Sequence, residues 1–299
     1  MRLDRSLALP ESSPERRPTG LLTLPEHIRT PSPVACAILG AQPYLETLNP
    51  RPQTPRRLAP REVQVWGVSL TASDQVLACY QSMLSADERD RADRFWSENL
   101  RRAFAISRGG LRFLLAGYLG RHSREIALSY GRRGKPELQP GSRLRFNLSH
   151  SGLVTLYAFT LDCEIGLDVE QLRELPDHEA IATRFFSAGE VTDLRSLDLP
   201  EKLPGFFRCW TRKEAYIKAV GDGLAIPLDK FQVTLLPGVP ASLVKTAGAS
   251  GSLEAWTLHH LEPAPGYVGA LAYPDRLRDV TIHPLLKPEE LIDAFRTTL

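Results

Sequence analysis

Two groups of acidic and basic side chains in the middle of the chain have types and spacings suited to binding a metal ion and a phosphate. In residues 165–170, apolar side chains alternate with Asp168 and Glu170. This period of two predicts a half-buried strand that carries both carboxylates on one face. A helical pattern follows about forty residues later, where Glu214 and Lys218 are four residues apart and share a face.

Three carboxylates from a strand and a helix, with a lysine one turn beyond, suit a hard divalent cation. Mg2+ prefers a few carboxylate oxygens, keeps several waters and completes its octahedron with phosphate oxygens. A neighbouring lysine adds a mobile positive charge. Ordinary interpretations also exist, because a Glu four residues before a Lys favours a surface ion pair, and Asp-x-Glu is typical of a solvated strand face. These two segments alone leave the choice open.

Further motifs lie around these segments. Gly-Lys-Pro stands at residues 134–136 and Asn-Leu-Ser-His-Ser at residues 147–151, followed by Gly-Leu-Asp-Val-Glu at 166–170 and Trp-Thr-Arg-Lys-Glu-Ala-Tyr-Ile-Lys at 210–218. In this order and with these gaps, the set resembles the large, Sfp-like class of 4'-phosphopantetheinyl transferases, over about residues 62–275. Four short motifs in register are far more specific than any one of them.

The resemblance implies transfer of 4'-phosphopantetheine from coenzyme A (CoA) to a serine of an apo acyl or peptidyl carrier protein, with release of 3',5'-ADP. It implies a cofactor, Mg2+, held by Asp168, Glu170 and Glu214. Glu214 is then the catalytic base, directly or through a metal-bound water, although Glu170 could exchange roles with it. Lys218 is the second catalytic residue, which neutralises or protonates the leaving phosphate.

The same resemblance implies a set of CoA-binding residues on several elements. Arg91 meets the 3'-phosphate, and Lys135 flanks the nucleotide. The remaining predicted phosphate contacts are Ser149, His150 and Lys213. One position of the family's basic cluster is Glu88 in this chain.

Two arginines on the helix that follows have no single interpretation from the sequence. Arg108 and Arg112 assist CoA binding in one interpretation, and form ion pairs or a solvated helix face in the other. The sequence does not decide between these.

Two functions from other classes remain alternatives to transfer. A metal-dependent phosphohydrolase would use the three carboxylates on a small pyrophosphate and need no acceptor protein. A non-catalytic CoA- or carrier-binding module would need neither a base nor a metal. Carrier recognition is predicted near Arg184, because an acidic helical partner favours an apolar groove edged with basic residues.

Composition sets limits on class and location. The 299-residue chain is 42% hydrophobic and 24% charged, with a formal net charge of +2, which is ordinary for a globular protein and gives no bias toward nucleic acid. Cys36, Cys79, Cys163 and Cys209 are scattered without CxxC spacing, so reduced thiols in a cytoplasmic protein are expected. No apolar run approaches a membrane span. The expected state is a monomer.

The chain divides into three predicted parts. Residues 1–60 hold eleven of the 24 prolines and are predicted to be a disordered Pro/Arg-rich extension. Residues 61–163 and 164–299 are predicted as two similar α+β halves, an intramolecular pseudo-dimer with antiparallel sheets and the metal site in the second half, by the family resemblance. Expected strands cover 62–70, 144–148, 153–160, 165–170, 231–235, 253–258 and 267–272, and expected helices follow Ser85 through Phe104, run over 111–119, follow Ser187, surround Glu214 and begin at Pro288.

Overall fold

The structure is a computed structural model that describes residues 58–131, 134–221, 226–246, 256–275 and 278–295. All of these residues belong to one compact unit. The predicted extension lies outside the described residues, except for its last three positions.

Along the described residues, runs of helices are followed by runs of strands. The helices are α1 (Asp74–Met83), α2 (Ala86–Asp93), α3 (Glu98–Leu119), α4 (His178–Phe185), α5 (Ala188–Ser196), α6 (Leu199–Val220) and α7 (Pro288–Ala294). The strands are β1 (Glu62–Ser69), β2 (Leu128–Tyr130), β3 (Pro136–Leu138), β4 (Leu144–Ser151), β5 (Val154–Leu161), β6 (Gly166–Gln171), β7 (Phe231–Val233), β8 (Leu243–Thr246), β9 (Thr257–Leu261), β10 (Tyr267–Tyr273) and β11 (Asp279–Leu286).

The first sheet has the strand order β11-β1-β5-β4. β1 pairs antiparallel with β5 and β5 with β4, whereas β11 runs parallel to β1. The long helix α3 packs on this sheet, and its Ser107 exchanges hydrogen bonds with β5 through Thr155 and Tyr157. The last described strand, β11, thus pairs with the first described strand, β1, and forms an edge of this sheet.

The second sheet has the antiparallel order β6-β10-β9 and carries α6 on one face. Its other face shares a hydrophobic core with the first sheet. This core includes Val63 and Leu156 from the first sheet, and Leu167 and Leu271 from the second. The shared core holds β6 of the second sheet beside β4 of the first. Side chains of these two strands form the site described below.

Most predicted elements are confirmed, and the α+β class with antiparallel sheets is confirmed. The helical region expected from Ser85 through Phe104 is divided into α2 and α3, because the chain leaves the helix between Arg94 and Ser97, where Ser97 is the N-cap of α3. The helix expected over 111–119 is the second half of α3. The expected strand at 253–258 begins later, at Thr257, and its first three positions lie outside the described residues. The pairing of β11 with β1 was not predicted.

The structure also describes the helices and the cysteines on which the expectations about class depend. In the described parts of the chain, no helix is both long and apolar enough to cross a membrane. Cys79, Cys163 and Cys209 are buried, and Cys163 and Cys209 are free thiols; Cys36 lies outside the described residues.

Candidate active site

A ladder of polar side chains joins β4 to β6, although the two strands belong to different sheets. Asn147, Ser149 and Ser151 alternate along β4 and therefore face the same way. The Asn147 Oδ1 atom accepts a hydrogen bond from the backbone N–H of Leu167, at 2.8 Å. The Ser149 hydroxyl donates to Asp168, and the Ser151 hydroxyl donates to Glu170. The ladder fixes the position of both carboxylates.

Both carboxylates of β6 are buried rather than solvated. Asp168 is 5% exposed and Glu170 is 9% exposed. Asp168 Oδ1 accepts the Ser149 hydroxyl at 2.9 Å, and Glu170 Oε2 accepts the Ser151 hydroxyl at 2.7 Å. The solvated-face interpretation of Asp-x-Glu is therefore wrong, since buried carboxylates need specific partners.

Helix α6 lies directly against the start of β6 because Gly166 has no side chain. A Cβ atom at Gly166 would collide with the carbonyl oxygen of Ala215 and lie 2.5 Å from the backbone nitrogen of Ala219. The helix therefore presents the turn that carries Glu214 and Lys218 to the carboxylates of β6. Trp210, one turn before Glu214 on the same helix, is a core residue stacked against Phe206.

Glu214 is the third buried carboxylate, at 7% exposure. Burial raises its pKa to about 7, and the negative charge of Asp168 is the second cause, while the Lys218 ammonium opposes the increase. Burial also raises the pKa of Glu170, again with Asp168 as the second cause. These mutual effects mean that the three carboxylates share one electrostatic environment. A carboxyl group with a pKa near 7 is suited to accept a proton at neutral pH.

Lys218 joins the helix to the strand. Its Nζ atom donates to Asp168 Oδ1 at 2.5 Å, to the carbonyl oxygen of Leu167 at 3.0 Å and to the Ser149 hydroxyl at 3.3 Å. Its side chain is 25% exposed. The surface-pair interpretation with Glu214 is wrong, since the ion-pair partner of Lys218 is Asp168, fifty residues away in sequence.

The donor set suits Mg2+ in its chemistry. The carboxylate oxygens are hard ligands of the kind that Mg2+ prefers, and the buried Asp168 Oδ2 atom has no hydrogen-bond partner among the described residues. A buried carboxylate oxygen without a partner is unusual and suits a cation. Within the described residues, however, no group of three or more His, Cys, Asp or Glu side chains is arranged to hold a metal ion. The three-carboxylate set stays a prediction.

Lys213 does not join this site. Its ammonium is fully buried and forms an ion pair with Glu190 at 2.8 Å. It also donates to the carbonyl oxygens of Leu228 and Phe231, each at 2.7 Å. All three ammonium donors are used inside the protein and the side chain is 0% exposed, whereas Lys218 is 25% exposed. This placement contradicts the predicted contact of Lys213 with phosphate.

The other predicted CoA-binding residues lie on three separate parts of the fold. Lys135 is half-buried, and its Nζ atom donates to the carbonyl oxygen of Lys218 at 3.0 Å, so the Gly-Lys-Pro turn meets the end of α6. His150 is half-buried on β4, on the face opposite to Ser149. Arg91 is exposed in the last turn of α2, with its guanidinium carbon 5.7 Å from the ring centroid of Phe104.

Arg108 and Arg112 are buried on α3 and face Glu88 of α2. Glu88 is 1% exposed, and its Oε2 atom accepts a hydrogen bond from Arg112 Nε at 2.7 Å. Arg108 Nε lies 3.6 Å from the other oxygen, Oε1. The ion-pair interpretation is confirmed for both arginines. Burial lowers the pKa of Arg108.

Three contributors to the site were absent from the predicted residues. Ser151 and Asn147 stood in a recognised motif but received no role, although their alternation with Ser149 was a signal for a shared face. Gly166 also stood in a recognised motif. Its role, the close approach of α6 to β6, is evident only from the structure.

Known proteins resemble this chain across most of its length. A model of the 4'-phosphopantetheinyl transferase superfamily matches residues 164–272, which contain β6 and α6. The 4'-phosphopantetheinyl transferase HetI from Nostoc sp. (strain PCC 7120) is 42% identical over 71% of this chain and 87% of HetI. The 4'-phosphopantetheinyl transferase Sfp from Bacillus subtilis (strain 168) is 30% identical over 71% of this chain and 92% of Sfp. This chain therefore belongs to the 4'-phosphopantetheinyl transferase superfamily and is a transferase of that class.

Proposed function

We propose that this 4'-phosphopantetheinyl transferase takes its group from CoA, delivers it to a serine of an apo acyl or peptidyl carrier protein, and releases 3',5'-ADP. The observation that carries the proposal is the contact of Lys218 and Ser149 with Asp168, beside the buried Glu214. In-line transfer of a phosphoryl group depends on positioning and on electrostatic stabilisation, and this arrangement places a cation, a hydroxyl and metal-binding carboxylates together for that purpose.

Asp168, Glu170 and Glu214 would hold Mg2+. When bound, the ion would neutralise negative charge on the pyrophosphate of CoA. The raised pKa values of Glu170 and Glu214, caused by burial and by the charge of Asp168, support the need for a counter-charge at this position. The partnerless Asp168 Oδ2 atom supports it further.

Glu214 accepts the proton of the serine hydroxyl, and Lys218 acts on the leaving phosphate. The serine hydroxyl of the carrier attacks the phosphorus next to pantetheine, and its proton passes to Glu214. The phosphoanhydride bond breaks, and its electron pair leaves with 3',5'-ADP. Lys218 neutralises or protonates the leaving phosphate, a role supported by the partial exposure of its side chain, 25%.

CoA binding uses residues around this centre. Lys135 and Ser149 contact the nucleotide and phosphate, supported by their positions against α6 and Asp168. His150 and the exposed Arg91 bind phosphate at the edges of the site. Lys213 is left out of the CoA-binding set, because its ammonium is buried with Glu190.

The proposal includes the arrangement of the chain in two halves, its oligomeric state and its carrier-binding region. Residues 61–163 and 164–299 are similar halves, supported by one 22-residue helix on each sheet, α3 and α6. β11 is an exception, since it returns to the first sheet. The protein acts as a cytoplasmic monomer, and its carrier binds near Arg184, which lies in the last turn of α4.

The test is a mass measurement on apo carrier proteins incubated with the protein, CoA and Mg2+. One phosphopantetheine on the carrier serine, abolished by a chelator, supports the proposal. Asp168→Ala and Glu214→Ala should lose the product at a temperature at which circular dichroism shows that both variants are folded. Release of 3',5'-ADP without any acceptor would instead indicate a phosphohydrolase, and CoA binding without turnover would indicate a binding module.

A further inference from the structure

Arg212 of α6 is a buried arginine whose donors are only partly used. It is 2% exposed, and both of its described hydrogen bonds are made by Nη1, to the carbonyl oxygen and to the hydroxyl of Thr234. Its Nε atom has no hydrogen-bond partner among the described residues. The edge of the guanidinium group formed by Nε and Nη2 therefore has no acceptor in the described part of the chain. Two neighbouring donors of this kind are the usual binding edge for an anion.

A second buried arginine, Arg112 of α3, shows how this protein satisfies such a group. Arg112 is also 2% exposed, but its Nε donates to the Glu88 carboxylate at 2.7 Å. Its Nη1 donates to the carbonyl oxygens of Ser123 and Ile126, at 3.1 and 3.0 Å. Arginine is rarely buried without a partner, because an unpaired charge is costly to remove from water. Arg212 lacks the counter-charge that Glu88 gives to Arg112.

The nearest charged neighbour of Arg212 adds to the positive charge. Arg208 is one turn earlier on α6, and its Nε donates to the carbonyl oxygen of Leu235 at 2.9 Å. Its Nη2 pairs with Glu201 at 3.0 Å, and the Glu201 side chain is 46% exposed. This is the one ion pair described for the two arginines. Two guanidinium groups and one half-exposed carboxylate leave a net positive charge.

The hydroxyl group beside Arg212 cannot accept a further hydrogen bond. Thr234 Oγ1 accepts from Arg212 Nη1 and from the backbone N–H of Ser242, each at 3.0 Å. It donates to the carbonyl oxygen of Pro240 at 2.8 Å. A hydroxyl group has one donor and two acceptor positions, so all of its positions are in use.

We propose that Arg212 and Arg208 form a binding site for a small inorganic anion, chloride or phosphate, on the rear of α6. Arg212 is two residues before Glu214 and therefore lies on the opposite face of the helix, so this site is separate from the three carboxylates. Arg212 donates from Nε and Nη2 to the anion, and Arg208 supplies the second positive charge. The anion holds the chain around Thr234 against the helix that carries the candidate active site.

The test compares the unfolding temperatures of wild type and Arg212→Met in sodium chloride, sodium phosphate and sodium gluconate, at one pH and at matched ionic strengths. Gluconate is the bulky reference anion, and methionine keeps a long, unbranched side chain without the charge. We expect the wild type to gain about 3–5 °C over gluconate for each tenfold increase of the bound anion above its Kd. Arg212→Met should show no such gain. Arg195→Met, which removes an exposed arginine of α5, is the matched control and should respond as the wild type does.

A gain in chloride alone would support a site of halide size, and a gain in phosphate would support one with room for an oxyanion. No gain in the wild type, or an equal gain in Arg212→Met, would overturn the inference. If Arg212→Met does not fold, calorimetric titration of Arg212→Lys with both anions decides. Lysine keeps the charge but loses the paired donors, so its affinity should be lower than that of the wild type, and an equal affinity would reject the site. The transfer reaction does not enter any of these measurements.

Discussion

Glu170 and Glu214 are both buried carboxylates, but their neighbours prepare them for different tasks. Glu170 accepts the Ser151 hydroxyl and lies 3.4 Å from Arg173, so a hydrogen bond and a cation hold it in place. For Glu214, burial and the charge of Asp168 raise the pKa to about 7. Of the two, Glu214 is better suited to take a proton.

Glu214→Gln should therefore lower the rate of carrier modification more than Glu170→Gln does. We expect a loss of about 10^2- to 10^3-fold for Glu214→Gln, the size of one strong transition-state contact, and a smaller loss for Glu170→Gln. The measurement is kcat at saturating CoA and Mg2+. Glu164→Gln, an exposed carboxylate just before β6 that pairs with Arg145, is the control and should retain full activity. A larger loss in Glu170→Gln would assign the base to Glu170.

At the scale of elements, the site depends on the contact between α6 and β6. The contact is backbone to backbone at Gly166, so it has no flexible side chain that could adjust. The opposite side of α6 is fixed by the buried pair of Lys213 with Glu190, the residue that also closes the capping box of α5. The close contact at Gly166 and the Lys213–Glu190 ion pair together determine the positions of Glu214 and Lys218.

Gly166→Ala should push α6 away from β6. Overpacking of this kind costs about 1–3 kcal/mol, and we expect that loss in the free energy of unfolding, measured by urea denaturation, together with a fall in transferase activity. Gly205→Ala, on the same helix, is the control. Its nearest atom would be the flexible end of Leu197, and alanine favours a helix over glycine by about 1 kcal/mol. Equal stability of both variants would contradict the close approach.

Lys213→Met should destabilise the fold rather than weaken CoA binding. Removing one partner of a buried ion pair costs about 3–5 kcal/mol, because the Glu190 carboxylate remains buried without its counter-charge. Urea denaturation measures the loss, and the KM for CoA should stay at the wild-type value at a temperature where the variant is folded. A selective rise in that KM would restore the original prediction of a phosphate contact.

At the scale of the whole molecule, the two sheets are joined by one core and by the return of β11 to β1. His283 of β11 stacks on Trp66 of β1, with ring centroids 3.6 Å apart. Burial lowers the pKa of His283, and likewise that of His259 on β9. The edges of both sheets therefore contain imidazoles that folding keeps neutral.

The two imidazoles contribute a loss of stability as the pH falls through about 6.5, the ordinary histidine value, because each binds a proton more readily in the unfolded chain. Glu170 and Glu214 contribute in the opposite direction, since folding raises their pKa values, so the contribution of His283 is read from a comparison with a variant that lacks it. Urea denaturation between pH 7.5 and 5 measures the slope. His283→Phe keeps an aromatic ring on Trp66 but cannot titrate, so its slope should be smaller. Identical slopes would show that His283 does not contribute.

The sequence by itself determined the local elements and the residue types of the site. The alternation in β6, the capping boxes before α2 and α5, and the four-residue spacing in α6 are encoded by neighbouring residues, and the four motifs carried the family. The strand β11 escaped notice because Pro284 disfavours a regular strand. The structure accommodates it at an edge strand, where the register with β1 shifts.

Only the tertiary structure decided which charges meet. Helical spacing assigns Lys213 and Lys218 to different faces but does not say which face is buried, and the partners Glu190 and Asp168 come from distant elements. The same is true of Arg108 and Arg112. The fold brings the carbonyl oxygens of Ser123 and Ile126 within hydrogen-bond distance of Arg112, and the spacing along α3 does not predict this. Burial and long-range pairing arise when the chain closes on itself, so no local pattern records them.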